Sequence, residues 1–288
     1  MSKVAIVTDT NAGIMPEEAD QLGIFVLPMP FMINDRTYYE NIDLSQDEFY
    51  HMLADNTAII TSQPSPEAVM KLWDRALEQY DEVVHIPMSS GLSGSCQSAM
   101  MLAEEYHGKV QVVNNQRISV TQKQSARDAL RLAQEGKSAA EIKRILEEDK
   151  FQATIYIMLD TLHYLKKGGR ITPAAAALGT ILRLKPVLQI QGEKLDAFAK
   201  ARTSTQGRSI MINAVKNDLT NRFGGLKPEN AELFIAYTKD REAAEAFRVE
   251  VEEAFTGFRV REIQALPLSI SCHIGPGSLA LASTRNMK

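Results

Sequence analysis

His85-Ile86-Pro87-Met88-Ser89-Ser90-Gly91-Leu92-Ser93-Gly94-Ser95-Cys96-Gln97-Ser98-Ala99 reads as the end of a buried strand, a short loop of Ser and Gly, and the opening of a helix. The apolar run from Glu82 to Met88 supplies the strand. Gly91 and Gly94 let the backbone turn and approach a ligand closely, because neither carries a Cβ. The hydroxyls of Ser89, Ser90, Ser93 and Ser95 stand beside the free N–H groups of a helix start. A helix N-terminus carries partial positive charge, so the stretch has the makings of a small anion site. It reads equally as a Ser/Gly turn that only caps its helix, since Ser is a favoured N-cap. The spacing matches neither a phosphate loop, which needs a Lys after its second Gly, nor the Gly-x-Gly-x-x-Gly of dinucleotide sites. The expected anion is therefore small, a carboxylate rather than a pyrophosphate.

Working outward, strands and helices alternate through the first half. Val4 to Val7 is a strand ending in the polar Thr8-Asp9-Thr10-Asn11, followed by a helix near Pro16 to Leu22. Ile24 to Ile33 is a second apolar run; Asn34-Asp35 gives a turn and Thr37 to Tyr39 a return strand. Ser45 with Glu48 forms a capping-box pattern that starts a helix to about Ala54, and Ser65-Pro66 starts one to about Tyr80. After the opening loop come a helix from Cys96 to Tyr106, a strand from Val110 to Val113, and helices near Val120 to Gln134 and Ala139 to Glu148. Alternation of this kind predicts a parallel sheet with helices on its faces and ligands at the carboxyl ends of its strands. The loops at Asp9, Thr61 and Ser93 are each placed at such an end.

From Phe151 the pattern changes to α+β. It runs through a strand (Ala153 to Leu159), a short helix (Leu162 to Lys166), a helix over 173–182 and a strand from Pro186 to Ile190. Gln191-Gly192-Glu193-Lys194 then predicts an antiparallel hairpin through Phe198. A helix (Thr205 to Arg222), a strand (Leu233 to Tyr237), a helix (Glu242 to Phe255), a strand (Val260 to Ala265) and a last strand after Gly277 complete it. The predicted fold class is α/β: a Rossmann-like N-terminal domain with a mostly parallel sheet, residues 1–150, plus a smaller α+β C-terminal domain, residues 151–288. No Pro/Gly/Ser-rich linker separates them.

Composition narrows the function classes. Of 288 residues, 44% are hydrophobic and 24% charged, as in a globular protein. The net charge of −4 argues against general nucleic-acid binding. There is no apolar signal segment at the start, no run long enough to span a bilayer, and Cys96 and Cys272 make no disulfide framework. The expectation is a cytoplasmic protein with reduced thiols. Five scattered His and two Cys show no metal-ligand spacing.

Four other stretches can carry chemistry. Thr61 and Ser62 can donate to an anion, while Ser65 caps its own helix. Lys166-Lys167-Gly168-Gly169-Arg170 suits a helix C-terminus, with Arg170 also able to face an anion or an acidic partner. Arg202 follows a strand and can clamp a carboxylate or phosphate by two hydrogen bonds. Gly275-Pro276-Gly277 is a fixed turn that would hold His273 in a definite direction. No nucleophile–base pair and no Gly-x-Ser-x-Gly elbow is present. The run Ala174 to Leu182 has small residues on one side, which suits a packed core or room for a slender apolar ligand.

Taken together these motifs resemble the DegV family, whose members include the fatty-acid-binding subunits of the bacterial fatty acid kinase. The matching stretches are Val7 to Thr10, Thr61 to Ser65, Ser89 to Gly94, Leu162 to Ile171, Leu184 to Leu188, Arg202 and His273 to Gly277, in family order along the whole chain. The resemblance implies a long-chain fatty acid in a tunnel between the two domains, with its carboxylate toward the polar loops. Carried over, Thr61, Ser62, Ser93, Gly94 and His273 bind the carboxylate, and Arg170 and Arg202 serve a phosphoryl group or the kinase. The chain would then have no catalytic residue, metal or cofactor of its own. Its partners would be the fatty acid, an ATP-dependent kinase that makes the acyl phosphate and, transiently, a membrane surface. The alternative is an enzyme acting directly on a small carboxylate or phosphate, with His273 as acid–base. The sequence departs from the family in three places. Thr10 stands where Ser is common, Asn114-Asn115 replaces the usual Asp-Ser, and residues 116–122 lack the usual Gly.

Overall fold

The computed structural model describes residues 2–40, 42–55, 57–178 and 184–287, without the side chains of 166–168 and 178. The chain divides into two units, Met1–Phe151 and Gln152–Lys288.

The first unit runs β1 (Val4–Asp9), α1 (Pro16–Leu22), β2 (Ile24–Leu27), β3 (Pro30–Ile33), β4 (Arg36–Tyr39), α2 (Gln46–Ala54) and β5 (Ile59–Thr61). It continues through α3 (Pro66–Leu77), β6 (Glu82–Ile86), α4 (Ser95–Ala103), β7 (Val110–Val112), α5 (Ser119–Gln134) and α6 (Ala139–Glu148). Four strands form an all-parallel sheet in the order β2-β1-β6-β7. Every residue of β1 is buried, as a central parallel strand covered on both faces requires. Helix α3 starts where Ser65 Oγ accepts the N–H of Ala68, with Pro66 in the first turn. It buries Val69, Trp73 and Ala76 against Val7 and Val83. The chain leaves β1 toward β2 on one side and later toward β6 and β7 on the other, so the order reverses between β1 and β6. Open parallel sheets bind ligands at that reversal, beyond the carboxyl ends of the strands.

Two expectations need correcting here. The apolar run Ile24 to Ile33 is not one strand; it breaks at Pro28 and Met29, and Pro30 opens its second part, because proline cannot donate to a ladder. Its second part, β3, pairs antiparallel with β4 and β5 in a separate three-stranded sheet. Thr61 therefore ends a strand of that small sheet, opposite Phe31, and not a strand of the parallel sheet. The β3–β4 connection is a two-residue turn in which Asn34 and Asp35 have φ of 49° and 63°. Such mirror-image turns match the twist of a hairpin, and Asn and Asp tolerate them.

The second unit comprises β8 (Ala153–Met158), α7 (His163–Gly168), α8 (Pro173–Leu178), β9 (Lys185–Ile190), β10 (Asp196–Ala201) and α9 (Ser204–Asn221). β11 (Ala231–Tyr237), α10 (Arg241–Ala254), β12 (Val260–Ala265), α11 (Leu268–Ile274) and β13 (Leu279–Arg285) follow. Its six strands lie in the order β10-β9-β8-β13-β11-β12, antiparallel except for β11 with β12. The predicted β9–β10 hairpin is present. Met211, Val215 and Leu219 of α9 and Phe247 and Val251 of α10 form the core with Leu233, Ile235 and Leu281 of the sheet. Of the helix expected over 173–182, the part to Leu178 is α8 and the remainder lies outside the described residues. The sequence reading missed α11, which holds Cys272 and His273. Among the described residues no helix is long and apolar enough to cross a membrane.

Candidate functional site

At the reversal point of the first unit, Asp9 is 1% exposed and braces the loop that follows β6. Its Oδ2 accepts the Met88 N–H at 2.8 Å. Its Oδ1 accepts the Asn11 N–H at 3.0 Å and the Gln122 amide at 3.1 Å. The same Gln122 amide reaches Ile86 O at 3.2 Å, tying α5 to the ends of both β1 and β6. Burial pushes the Asp9 carboxyl above its ordinary range, opposed by these hydrogen bonds. Neither Gln122 nor Met88 carries a sequence signal for this bracket. It arises because three elements distant in sequence end at one edge.

Beyond Met88 the loop closes on itself. Ser89 O accepts the N–H groups of Leu92 at 3.0 Å and Ser93 at 3.2 Å. Ser89 Oγ accepts the Gly91 N–H at 3.3 Å. Ser93 Oγ accepts the Ser95 N–H at 3.2 Å, which satisfies one donor of the α4 first turn. Among the described residues no base is bonded to Ser93 Oγ. Gly94 is the N-cap of α4 and supplies no capping side chain. The next N–H groups of that helix therefore lack the usual cap.

The Thr61 segment reaches the same loop. A Cβ on Gly94 would lie 2.8 Å from Gln63 Oε1, and the Gln63 amide donates to Ser98 Oγ at 3.0 Å. Thr61 is half-buried and Ser62 exposed, with the Ser62 N–H donating to Pro30 O at 3.3 Å. The predicted residues Thr61, Ser62, Ser93 and Gly94 thus lie on two touching segments, although Thr61 comes from the small antiparallel sheet. Gln63, absent from the sequence-level candidates, makes the contact.

The other candidates belong to the second unit. His273 sits in the last turn of α11, just ahead of the Gly-Pro-Gly turn. Thr238 Oγ1 donates to Gly275 O at 2.7 Å and accepts the Ser278 N–H at 2.8 Å, fixing that turn. Burial lowers the His273 pKa to about 4, assisted by the positive charge of Arg170, so the ring is neutral near neutral pH. A neutral imidazole can donate one hydrogen bond to an anion without bringing charge. Burial raises the neighbouring Cys272 thiol to about 12, which leaves it inert as a nucleophile. Gly169 takes the left-handed conformation that ends α7, as its sequence suggested, and its N–H donates to Leu165 O at 3.2 Å. Arg170 is half-buried; Arg202 is exposed at the end of β10, its N–H donating to Gln206 Oε1 at 2.8 Å. The side chains of Lys166, Lys167 and Gly168 lie outside the described residues. Among the described residues no cluster of three or more His, Cys, Asp or Glu is placed to hold a metal ion.

Comparison with known proteins gives this arrangement a lineage. Residues 3–286 match the family model described as uncharacterised protein, DegV family. The chain is 30% identical over 281 residues to a DegV domain-containing protein of Deinococcus radiodurans, covering 97% of each. A second, from Listeria innocua, is 30% identical over 287 residues, again covering 97% of each. Among solved structures, a Thermus thermophilus DegV family protein described for fatty acid binding superposes with a TM-score of 0.89. It is 30% identical, with 99% of this chain and 100% of that one covered. DegV of Bacillus subtilis, described as a fatty acid binding protein, gives 0.86 at 26% identity, with 99% and 100% covered. The chain belongs to the DegV family.

Proposed function

We propose that this protein binds a long-chain fatty acid and presents its carboxylate to a separate ATP-dependent kinase, which forms the acyl phosphate. The observation that carries the binding half is the full-length likeness to the Thermus thermophilus protein described for fatty acid binding. In this reading Thr61, Ser62, Ser93 and Gly94 hold the carboxylate through hydroxyls and N–H groups, and His273 adds a neutral donor. Arg170 and Arg202 serve the phosphoryl group or the kinase. The kinase half rests on the family resemblance of the motifs. No cofactor is required, and a transient membrane contact would load the ligand.

The energetics suit a carrier. Burying a methylene contributes about 0.8 kcal/mol, so a long acyl chain gains on the order of 10 kcal/mol before the costs of association. Each hydrogen bond to the charged carboxylate adds roughly 1.5–3 kcal/mol and fixes its orientation. Neither contribution requires a nucleophile, consistent with a Ser93 hydroxyl bonded to a backbone N–H.

Mass spectrometry of an organic extract of the purified protein should find a long-chain fatty acid. A protein that is empty and also ignores added palmitate sinks the proposal. With the kinase and ATP present, Thr61→Ala and Ser93→Ala should each lower acyl phosphate formation about tenfold or more, as the loss of one charge-assisted hydrogen bond implies. Unchanged formation by both variants removes these residues from the role.

A further inference from the structure

Helix α5 begins at the same sheet edge, and its first turn is buried: Ser119, Val120 and Thr121 are 3%, 1% and 2% exposed. An α-helix leaves its first N–H groups without partners inside the helix. Other long helices of this chain satisfy them with a side chain, as Ser45, Ser65, Ser138 and Thr203 do. The residue at that position in α5 is Ile118, which has no acceptor. Among the described residues nothing accepts from the N–H groups of Ser119, Val120 or Thr121; the Ile118 N–H alone is held, by Thr121 Oγ1 at 3.4 Å. The Ser119 hydroxyl, at the same helix end, is also buried without a partner. Buried N–H groups are paired, with protein or with water, in more than nine cases in ten, so three such N–H groups and a hydroxyl on one turn call for an acceptor that no described residue supplies.

The surrounding charges are accounted for. Asp9 is tied to α5 through Gln122, but its oxygens accept from Asn11, Met88 and Gln122 and not from this turn. Arg117 pairs with Asp149 at 2.9 Å, and Lys123 with Glu18 at 2.6 Å. The Ser89 N–H donates to Arg117 O at 2.9 Å, which joins this segment to the Ser93 loop.

We infer that the first turn of α5, with Ser119, is an oxyanion subsite that takes a carboxylate or phosphate oxygen. Helix-end partial charge and unpaired N–H groups are the recurring recipe for such oxygens. The inference deepens the proposed headgroup site: a carboxylate oxygen would come from the fatty acid itself, a phosphate oxygen from its phosphorylated form.

Amide NMR shifts of the full chain, followed during separate titrations with palmitate and inorganic phosphate, test it. The Ser119, Val120 and Thr121 amide protons should move downfield with one of the probes. Ser119→Gly, which removes the hydroxyl and suits the φ of 55° at this position, should weaken that probe about tenfold in calorimetry. A response to palmitate assigns the carboxylate, and a response to phosphate alone assigns the phosphoryl group. If all three amides stay still with both probes, or Ser119→Gly binds both as the parent does, the subsite is refuted. Should palmitate fail to bind at all, the carrier proposal falls, while the phosphate arm still decides the subsite.

Discussion

His85 on β6 and His273 on α11 meet the same desolvation in different units. Burial lowers His85 to about 3 and His273 to about 4, both from an ordinary value of 6.5. Between those limits the unfolded chain binds more protons than the folded one, so stability falls as pH drops through that window. Asp9, raised by burial, acts in the opposite sense in the carboxylate range. The urea midpoint should therefore fall between about pH 7 and about pH 5, and His85→Phe should flatten that dependence. An identical slope in the variant removes His85 as a source. At this scale the sequence exposes local chemistry well. Ser45 and Ser65 cap as their spacing predicts, because a cap is settled within four residues. Gln122 and Gln63 were invisible because their roles come from partners more than thirty residues away.

Single elements show where periodicity stops informing. Helix α11 was missed because its seven residues carry no capping side chain and little polar contrast. The Ile24 to Ile33 run hid a change of sheet, since both parts are equally apolar. The Gly-Pro-Gly turn was legible, and its tolerance follows from its neighbours. Gly275 has φ of 83°, and a Cβ there would lie 2.3 Å from the Tyr164 ring. Gly169 has φ of 67° with nothing within 4 Å of an added Cβ. Gly169→Ala should therefore cost about 1 kcal/mol, the backbone strain alone. Gly275→Ala adds a steric clash and should cost about 3 kcal/mol or more. Urea unfolding compares the two; equal costs would mean that the Tyr164 contact is easily relieved. The departure from the family at residues 114–122 also finds its physical form here. Gln116 and Ser119 take φ of 56° and 55° without glycine. Arg117, bonded to Asp149 and to Ser125 Oγ at 3.1 Å, anchors the segment between them.

For the whole molecule, alternation of strands and helices sufficed to name an α/β fold with a mostly parallel sheet, and the hairpin signal at Gly192 identified the mixed sheet. Strand order was not legible, because it is set by which long loops close and sequence records no such distances. A ligand that binds only the folded chain raises its stability by about RT ln(1 + [L]/Kd). Stripping copurified lipid should thus lower the melting temperature, and added palmitate should restore it; a melting temperature indifferent to both would mean that the lipid does not bind the native state. The order β10-β9-β8-β13-β11-β12 has one more consequence. Strand β13 lies between β8 and β11, which have no ladder with each other, yet it is translated after both. A growing chain must hold two apolar edges apart until their shared neighbour arrives, and unpaired strand edges invite other chains. Biosynthesis, rather than the finished fold, is then where this protein is most exposed to aggregation, and synonymous changes that slow translation just before Leu279 would lengthen that interval.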